Sequence, residues 1–411
     1  MVMRFLLIHQ FFLEDDRGGG GRWNEMSRMW IASGHEVTVL AGMTHYMGGH
    51  SRVRKGRWFY RETNKDGVEV IRCFDVSNPE RGFLYKLAGF ISFTISSILA
   101  GIFLVKERYD VIIVTSPPLF VGISGLILSW CKGVPFVFEV RDLWPESAIQ
   151  TGVLKNKLAI RLSYCLEKLI YKEAGLISVL TPAFRTHLIE KKKVHSSKII
   201  YIPNGADFEL ANSIGWGMNV SQFREKQGMD DMFTIVYVGA HGIANDLSQI
   251  LNAAEKLSEQ SVLFLLIGNG VKRHELIADA ARRKLKNVRF IDEIPRKEAF
   301  RYILASDMGI SVLQKNEVFK TIYSNKTFDY LSCRKPVLMA IDGISRGLIE
   351  EANAGVFVEP ENTDELVNKI LFYKENPELV RMQGENGFAF VQQHFDRTGL
   401  AKEYLNYLVG I

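Results

Sequence analysis

The stretch SNKTFDYLSCRKPV sets Lys326 three residues before Asp329. Ser324 or Asn325 caps a helix there, which puts Lys326 in the first turn. A lysine in that position opposes the helix dipole and needs an anion opposite it. Asp329 shares the face of Lys326. A cation for a diphosphate and a carboxylate for ribose hydroxyls together suit a nucleotide; a surface i,i+3 salt bridge is the alternative. Two glycine turns point to the same chemistry. Gly239, Ala240, His241 and Gly242 follow one apolar run, and Gly268, Asn269 and Gly270 follow the next. Glycine lets backbone amides approach a phosphate, although a tight turn without a ligand has the same pattern. Gly18 to Gly21 precede Arg22 near the N-terminus. They do not match Gly-x-Gly-x-x-Gly with a separate acid after the second strand, so dinucleotide binding is unsupported; a flexible turn is the plain reading. In EVRDLWPES, Arg141, Asp142 and Glu146 cluster at a strand end.

These residues need a scaffold, and the apolar pattern supplies one. FLLIHQF, HEVTVLAG, VEVIRCF, DVIIVTS, PFVFEVRD and GLISVLT read as strands with helical stretches between them. IIYIPNGADF closes that half, and Asn204-Gly205 is a turn signal. The alternation restarts at FTIVYVGAHG and runs through VLFLLIGNG, VRFIDEI, MGISVL and PVLMAI. The expectation is an α/β protein with two Rossmann-like, doubly wound parallel sheets. Ligands bind beyond the carboxyl ends of such strands, so two sheets facing a central cleft are expected. The expected domains are residues 1–204, joined by a C-terminal helix near 395–411, and 205–394. His35 lies between a helix and a strand and reads as structural.

With 411 residues, 47% apolar and a net charge of +5, the chain has ordinary globular composition. That charge is too mild to imply nucleic acid. Cys73, Cys131, Cys165 and Cys333 are far apart, which argues against a zinc site or a disulfide framework and fits a reducing compartment. The start reads as a first strand rather than a signal peptide. Residues 83–105 are long enough to span a bilayer, but Lys86, Ser92, Thr94, Ser96 and Ser97 interrupt them. A buried helix or one touching the membrane interface is expected. The basic runs Arg52, Arg54, Lys55, Arg57 and Lys191, Lys192, Lys193 read as solvated surface, with an anionic membrane as the alternative.

The order GGGGR, GHEVTVLAG, TSPPL, VFEVRDLWPESA, IPNGAD, YVGAHG, IGNG and NKTFDYLSCRKPV resembles a GT-B glycosyltransferase of the large retaining family numbered four. It is most similar to the WbuB-like bacterial branch that builds surface polysaccharides on a lipid carrier. The resemblance implies transfer of a sugar from a UDP-linked donor to a hydroxyl of a lipid-linked glycan, as in O-antigen or capsule synthesis. It implies no resident cofactor and no metal, and the absence of an Asp-x-Asp motif agrees. It also implies a cytoplasmic protein, peripheral on the inner face of the membrane, and no nucleic-acid partner. Lys326 matches the donor-phosphate lysine. Asp329 stands where the family has a glutamate on the ribose, with Ser324, Asn325 and both glycine turns around the donor. Eight residues before Asp329 the family has a second acid; here Thr321 stands there, and Glu317 is the nearest acid. His241 falls where relatives carry basic residues. Gly20 and Gly21 would lie near the donor diphosphate, and Arg22, Ser116, Pro117 and Glu146 near the acceptor. Arg141 falls where relatives place a histidine, and Asp142 would take or orient the acceptor proton. A nucleotide-sugar epimerase and a non-catalytic binding protein on the same architecture are the rival readings.

Overall fold

The computed structural model describes residues 2–14, 21–44, 57–76, 83–150 and 152–411. Gly18, Gly19, Gly20, Arg52, Arg54 and Lys55 lie outside the described residues. The chain forms two compact units. One holds the described residues up to Pro203 with Ala401–Ile411, and the other Asn204–Leu400.

The first unit runs β1 (Arg4–His9), α1 (Arg22–Ala32), β2 (Glu36–Gly42), β3 (Phe59–Thr63), β4 (Glu69–Cys73), α2 (Phe83–Phe103), β5 (Val111–Ser116) and α3 (Val121–Lys132). It continues through β6 (Phe136–Val140), α4 (Glu146–Gln150), α5 (Lys157–Glu173), β7 (Leu176–Val179), α6 (Pro182–Glu190) and β8 (Ile199–Tyr201). These strands form one sheet in the order β3-β4-β2-β1-β5-β6-β7-β8. Pairings are parallel, with Leu6 beside Thr38 and Ile112, except that β3 lies antiparallel to β4, with Arg61 opposite Ile71. Strands buried on both faces read as largely apolar runs; β5 and β6 are buried throughout and apolar except for Thr115, Ser116 and Glu139. Successive side chains alternate between the faces. Phe5, Val39, Ile113 and Val137 lie with Trp23, Trp30 and Tyr404 on one face. On the other, α3 fits so closely that a Cβ at Gly125 would lie 2.5 Å from Val114 Cγ2.

The second unit holds α7 (Phe208–Gly217), α8 (Val220–Lys226), β9 (Phe233–Val238), α9 (Ser248–Lys256), β10 (Val262–Ile267), α10 (Arg273–Arg282), β11 (Val288–Ile291) and α11 (Arg296–Ala305). There follow β12 (Met308–Val312), α12 (Asn325–Ser332), β13 (Val337–Ala340), α13 (Ile344–Glu351), β14 (Gly355–Phe357), α14 (Thr363–Glu375), α15 (Pro377–His394) and α16 (Arg397–Leu408), whose last turns belong to the first unit. The sheet is parallel, in the order β11-β10-β9-β12-β13-β14. One face packs α7, α11 and α12 through Phe208, Phe300 and Phe328. The other packs α9, α10 and α14 through Ile250, Leu276 and Ile370.

Strand order reverses between β1 and β5 in the first sheet and between β9 and β12 in the second. The carboxyl ends beside such a reversal are the natural ligand crevices of a parallel sheet. Both expected parallel cores are present. The strands the sequence reading missed are β3, β8 and β14, each at a sheet edge. Residues 83–103 form a helix of the first unit, packed on α3 and the sheet.

Candidate functional site

In the second unit Lys326 lies in the first turn of α12, half-buried. Its Cε comes within 3.2 Å of where a Cβ on Gly239 would stand, at the carboxyl end of β9. Its ammonium sits 4.9 Å above the Tyr237 ring. Among the described residues no carboxylate pairs with it. The i,i+3 alternative does not form, because Asp329 Oδ1 accepts from Arg296 Nη2 at 2.8 Å instead. Burial without a counter-charge pushes the Lys326 ammonium down to about 8. Ser324 caps α12 by position but not by side chain; its hydroxyl turns to Ser311 Oγ at 3.3 Å. The first amides of α12 therefore lack a side-chain cap, as an anion-binding helix start requires. Asn325 Oδ1 accepts from Asn204 Nδ2.

The two glycine turns interlock. His241 N donates to Asn269 O at 2.8 Å, and Gly239 N donates to Ile267 O at 2.9 Å. Gly268 has φ of 141°, and a Cβ there would lie 2.0 Å from Gly239 O. At Gly270, φ is 156° and the Cβ would meet His241 O at 2.5 Å. These glycines exist so that the turns can touch each other. Gly242 has no such restriction, its nearest neighbour being Asn245 Oδ1 at 3.2 Å. Ala240 O accepts from the Tyr237 hydroxyl at 2.8 Å. Asn269 Oδ1 accepts from Gly270 N.

His241 corrects one expectation. Its ring is fully buried and neither nitrogen has a hydrogen-bond partner. Burial, with Arg273 adding to it, lowers the imidazole to about 4. At neutral pH His241 is uncharged and cannot replace the basic residues of relatives. Asp329 is also placed differently from a free ribose ligand. Arg296 bridges it to Asp207, 3.0 Å from Arg296 Nη1. Burial raises the Asp329 carboxyl, and Arg296 opposes the rise. Thr321 donates to Val318 O at 2.7 Å within its own turn, and Glu317 is exposed and pairs with Lys320.

In the first unit Asp142 follows β6, and its Oδ2 accepts from Ser147 Oγ at 2.8 Å. Burial raises its carboxyl, opposed by the Ser147 and Leu143 hydrogen bonds. Arg141 Nη1 lies 3.5 Å from His9 Nε2 at the end of β1. Since an arginine only donates, His9 Nε2 faces it as acceptor. Burial, then Arg141 and Arg72, hold His9 neutral.

Three acceptor assignments are corrected. Arg22 is buried, with Nε 3.1 Å from Glu139 Oε2 and donors on Pro203 O and Ile202 O at 2.6 and 2.8 Å. Glu139 is fully buried and also accepts from Trp23 and Thr115. Arg22 thus fastens the start of α1 to the sheet. Gly21 is the N-cap before it. Ser116 is buried as well, its hydroxyl on Glu139 O at 3.1 Å, whereas Pro117 is exposed. Glu146 Oε1 sits 2.5 Å from Lys192 Nζ. Burial alone would raise this carboxyl, but His187 and Lys192 outweigh it and hold it low. The same ammonium lies 2.6 Å from Glu167, whose side chain is only 3% exposed. There burial prevails and raises the carboxyl to about 6. Lys192 is accordingly an interior clamp, not solvated surface. His35 is structural, accepting from Met3 N at 3.1 Å.

Among the described residues no group of three or more His, Cys, Asp or Glu side chains is placed to hold a metal ion. The arrangement in the second unit is a helix start, an unpaired ammonium and glycine-turn amides at the strand reversal. It can hold a phosphorylated ligand, with Lys326 as the counter-charge.

Comparison with known proteins gives this geometry its class. Residues 17–205 match the Glycosyl transferase 4-like domain, and residues 219–390 match Glycosyl transferases group 1. The chain belongs to the GT-B glycosyltransferases of family 4 type. It is 21% identical over 413 residues to WcaI of Escherichia coli K12, a glycosyl transferase assigned to colanic acid biosynthesis, covering 98% of this chain and 100% of WcaI. Its fold is similar to that of Anabaena HepE, solved with UDP-glucose, with TM-score 0.73, 19% identity and 100% of both chains covered. Sucrose-phosphate synthase from Thermosynechococcus elongatus gives TM-score 0.73 at 16% identity, over 98% of each chain.

Proposed function

We propose that this glycosyltransferase moves a sugar from a UDP-sugar to a hydroxyl of a lipid-linked glycan in bacterial surface polysaccharide synthesis. The observation that carries the donor half is the half-buried, unpaired ammonium of Lys326 beside the Gly239 turn. UDP as the nucleotide is supported by the UDP-glucose bound in HepE, and a polysaccharide product by the role assigned to WcaI.

The barrier lies in parting an oxocarbenium-like sugar from a diphosphate that gathers negative charge. Lys326, the first amides of α12 and the Ala240 and Gly242 amides stabilise that charge, the Gly239 and His241 amides being engaged with Ile267 O and Asn269 O. Removing one such donor typically costs about 10²–10³ in rate. Asn325 orients the phosphates, and Asp329, held by Arg296, faces the ribose. In the first unit Asp142 orients the acceptor hydroxyl or takes its proton, and Arg141 steadies the reacting end. The reaction keeps the anomeric configuration and runs without a metal; the single proton of the acceptor hydroxyl goes to Asp142 or, where Asp142 only orients, to the departing diphosphate.

Thermal shift with UDP-glucose, on wild type and Lys326→Ala, tests the assignment. Wild type is expected to be stabilised and the variant not. An equal response, or none by wild type to any nucleotide sugar, would overturn it. Turnover that survives a chelator, and an unchanged anomeric signal in the product by NMR, test the finer points.

A further inference from the structure

We infer that Arg296 is a positioning residue that gives the donor site its preference for a ribose carrying both hydroxyls, by fixing the direction of Asp329. The inference rests on the reading of Asp329 as the ribose ligand and adds the group that makes it one. The two oxygens of Asp329 are in different situations. Oδ1 accepts from Arg296 Nη2 at 2.8 Å. Oδ2 has no hydrogen-bond partner among the described residues, and the side chain is 27% exposed. It stands on the helix face that carries Lys326. One oxygen is tied down and the other is open.

Arg296 works from a fixed base. It opens α11, and its guanidinium lies 5.2 Å from the centre of the buried Phe300 ring. Nη1 of the same guanidinium lies 3.0 Å from Oδ2 of the buried Asp207. Asp207 Oδ1 accepts from Leu210 N at 3.0 Å and so caps α7. Arg397 Nη1 approaches Asp207 Oδ2 at 3.5 Å, and Arg397 Nη2 donates to Gly205 O at 2.7 Å. The support therefore runs from the start of α7 through Asp207 and Arg296 to α12. Two bonds leaving one planar fork set a direction as well as a charge. An ammonium on a flexible stem would supply the charge alone.

The commitment of both terminal nitrogens to carboxylates decides how Arg296 acts. Neither is left for a phosphate, so Arg296 reaches the nucleotide through Asp329. Burial favours a protonated Asp329, and Arg296 opposes that. A carboxylate only accepts, whereas a protonated carboxyl presents a donor as well. The 2′ and 3′ hydroxyls of ribose are neighbouring donors, and one carboxylate oxygen held in place has lone pairs for both. A nucleotide without those hydroxyls leaves that oxygen desolvated and unpaired.

The test is isothermal titration calorimetry of the full chain with UDP and with 2′,3′-dideoxy-UDP, which has the same base and diphosphate. Wild type is expected to bind UDP about ten- to a hundredfold more tightly, the range for hydrogen bonds to a charged group. In R296Q that preference is expected to fall by about tenfold, with dideoxy-UDP bound as in wild type. R296Q/D207N is expected to behave in the same way; an asparagine at 207 still caps α7, and no buried carboxylate is left there without its cation. D329A is expected to abolish the preference. Wild-type preference in both Arg296 variants, with D329A lacking it, would overturn the inference and leave the ribose reading standing. Equal loss of both ligands in the two Arg296 variants would make the residue merely structural and overturn the inference as well. Preference retained in D329A, or a wild type that binds the two nucleotides alike, would overturn the ribose reading and the inference with it.

Discussion

Lys326 is a half-buried ammonium with no counter-charge among the described residues. Its position near 8, against an ordinary 10.5, gives a signed pH dependence. Between those values the unfolded chain holds the proton more tightly than the folded one, so the ligand-free protein gains stability as pH rises through that window. A bound diphosphate reverses this by favouring the charged form. UDP-glucose affinity is therefore expected to be flat below pH 8 and to fall by up to about tenfold per pH unit above it. Titration calorimetry across that range checks this, and Lys326→Ala should abolish the slope. His241, lowered to about 4, stays neutral throughout and adds no second inflection. At Asp142, replacement by Asn is expected to reduce kcat by roughly 10²-fold or more while UDP-glucose affinity is unchanged. Equal losses in both would move Asp142 from the acceptor to the donor side. Lys326 was legible in the sequence because a lysine in a first helical turn violates a local preference. Its neighbours were less so. Arg296 reaches Asp329 across 33 residues, and nothing local in PRKEAF announces that contact. Lys192, flanked by two lysines, reads as surface until the fold puts Glu146 and Glu167 around it.

Among the elements, the glycine turns after β9 and β10 behave as one piece. Gly268→Ala is expected to destabilise the second unit by at least about 1–3 kcal/mol, since a left-handed φ and a backbone collision coincide there. Gly242→Ala, with neither problem, serves as the control in urea denaturation. The start of α1 depends on the Arg22–Glu139 pair, whose side chains are 6% and 0% exposed. Arg22→Ala leaves Glu139 buried and unpaired, at an expected cost of about 3–5 kcal/mol, measured the same way. The elements read well from sequence where strands are buried on both faces, because apolar residues dominate them, as in VLFLLI of β10. They read poorly at the sheet edges. β3 has no buried residue and no regular alternation, with Tyr60 and Arg61 both exposed, and β14 is a three-residue strand, too short to show a period. Also illegible was the facing of α2, which turns Ser96 onto Phe74 O and Ser97 onto Ser124 Oγ and leaves Ile91, Ile95 and Ile102 exposed: the pattern revealed an apolar helix with hydroxyls but not which side would face out.

At the scale of the molecule, each unit has its own sheet and its own core. Two unfolding transitions are expected in scanning calorimetry. UDP-glucose should raise only the one belonging to the second unit, by mass action on its folded form. A rise in both together would tie the nucleotide to the first unit as well. One consequence of α2 concerns handling more than chemistry. A helix that hides its alcohols and displays its hydrocarbons makes the protein a reluctant solute. In plain aqueous buffer its concentration ceiling is expected to be set by that greasy side rather than by its net charge of +5, and a mild detergent should raise the ceiling more than added salt does.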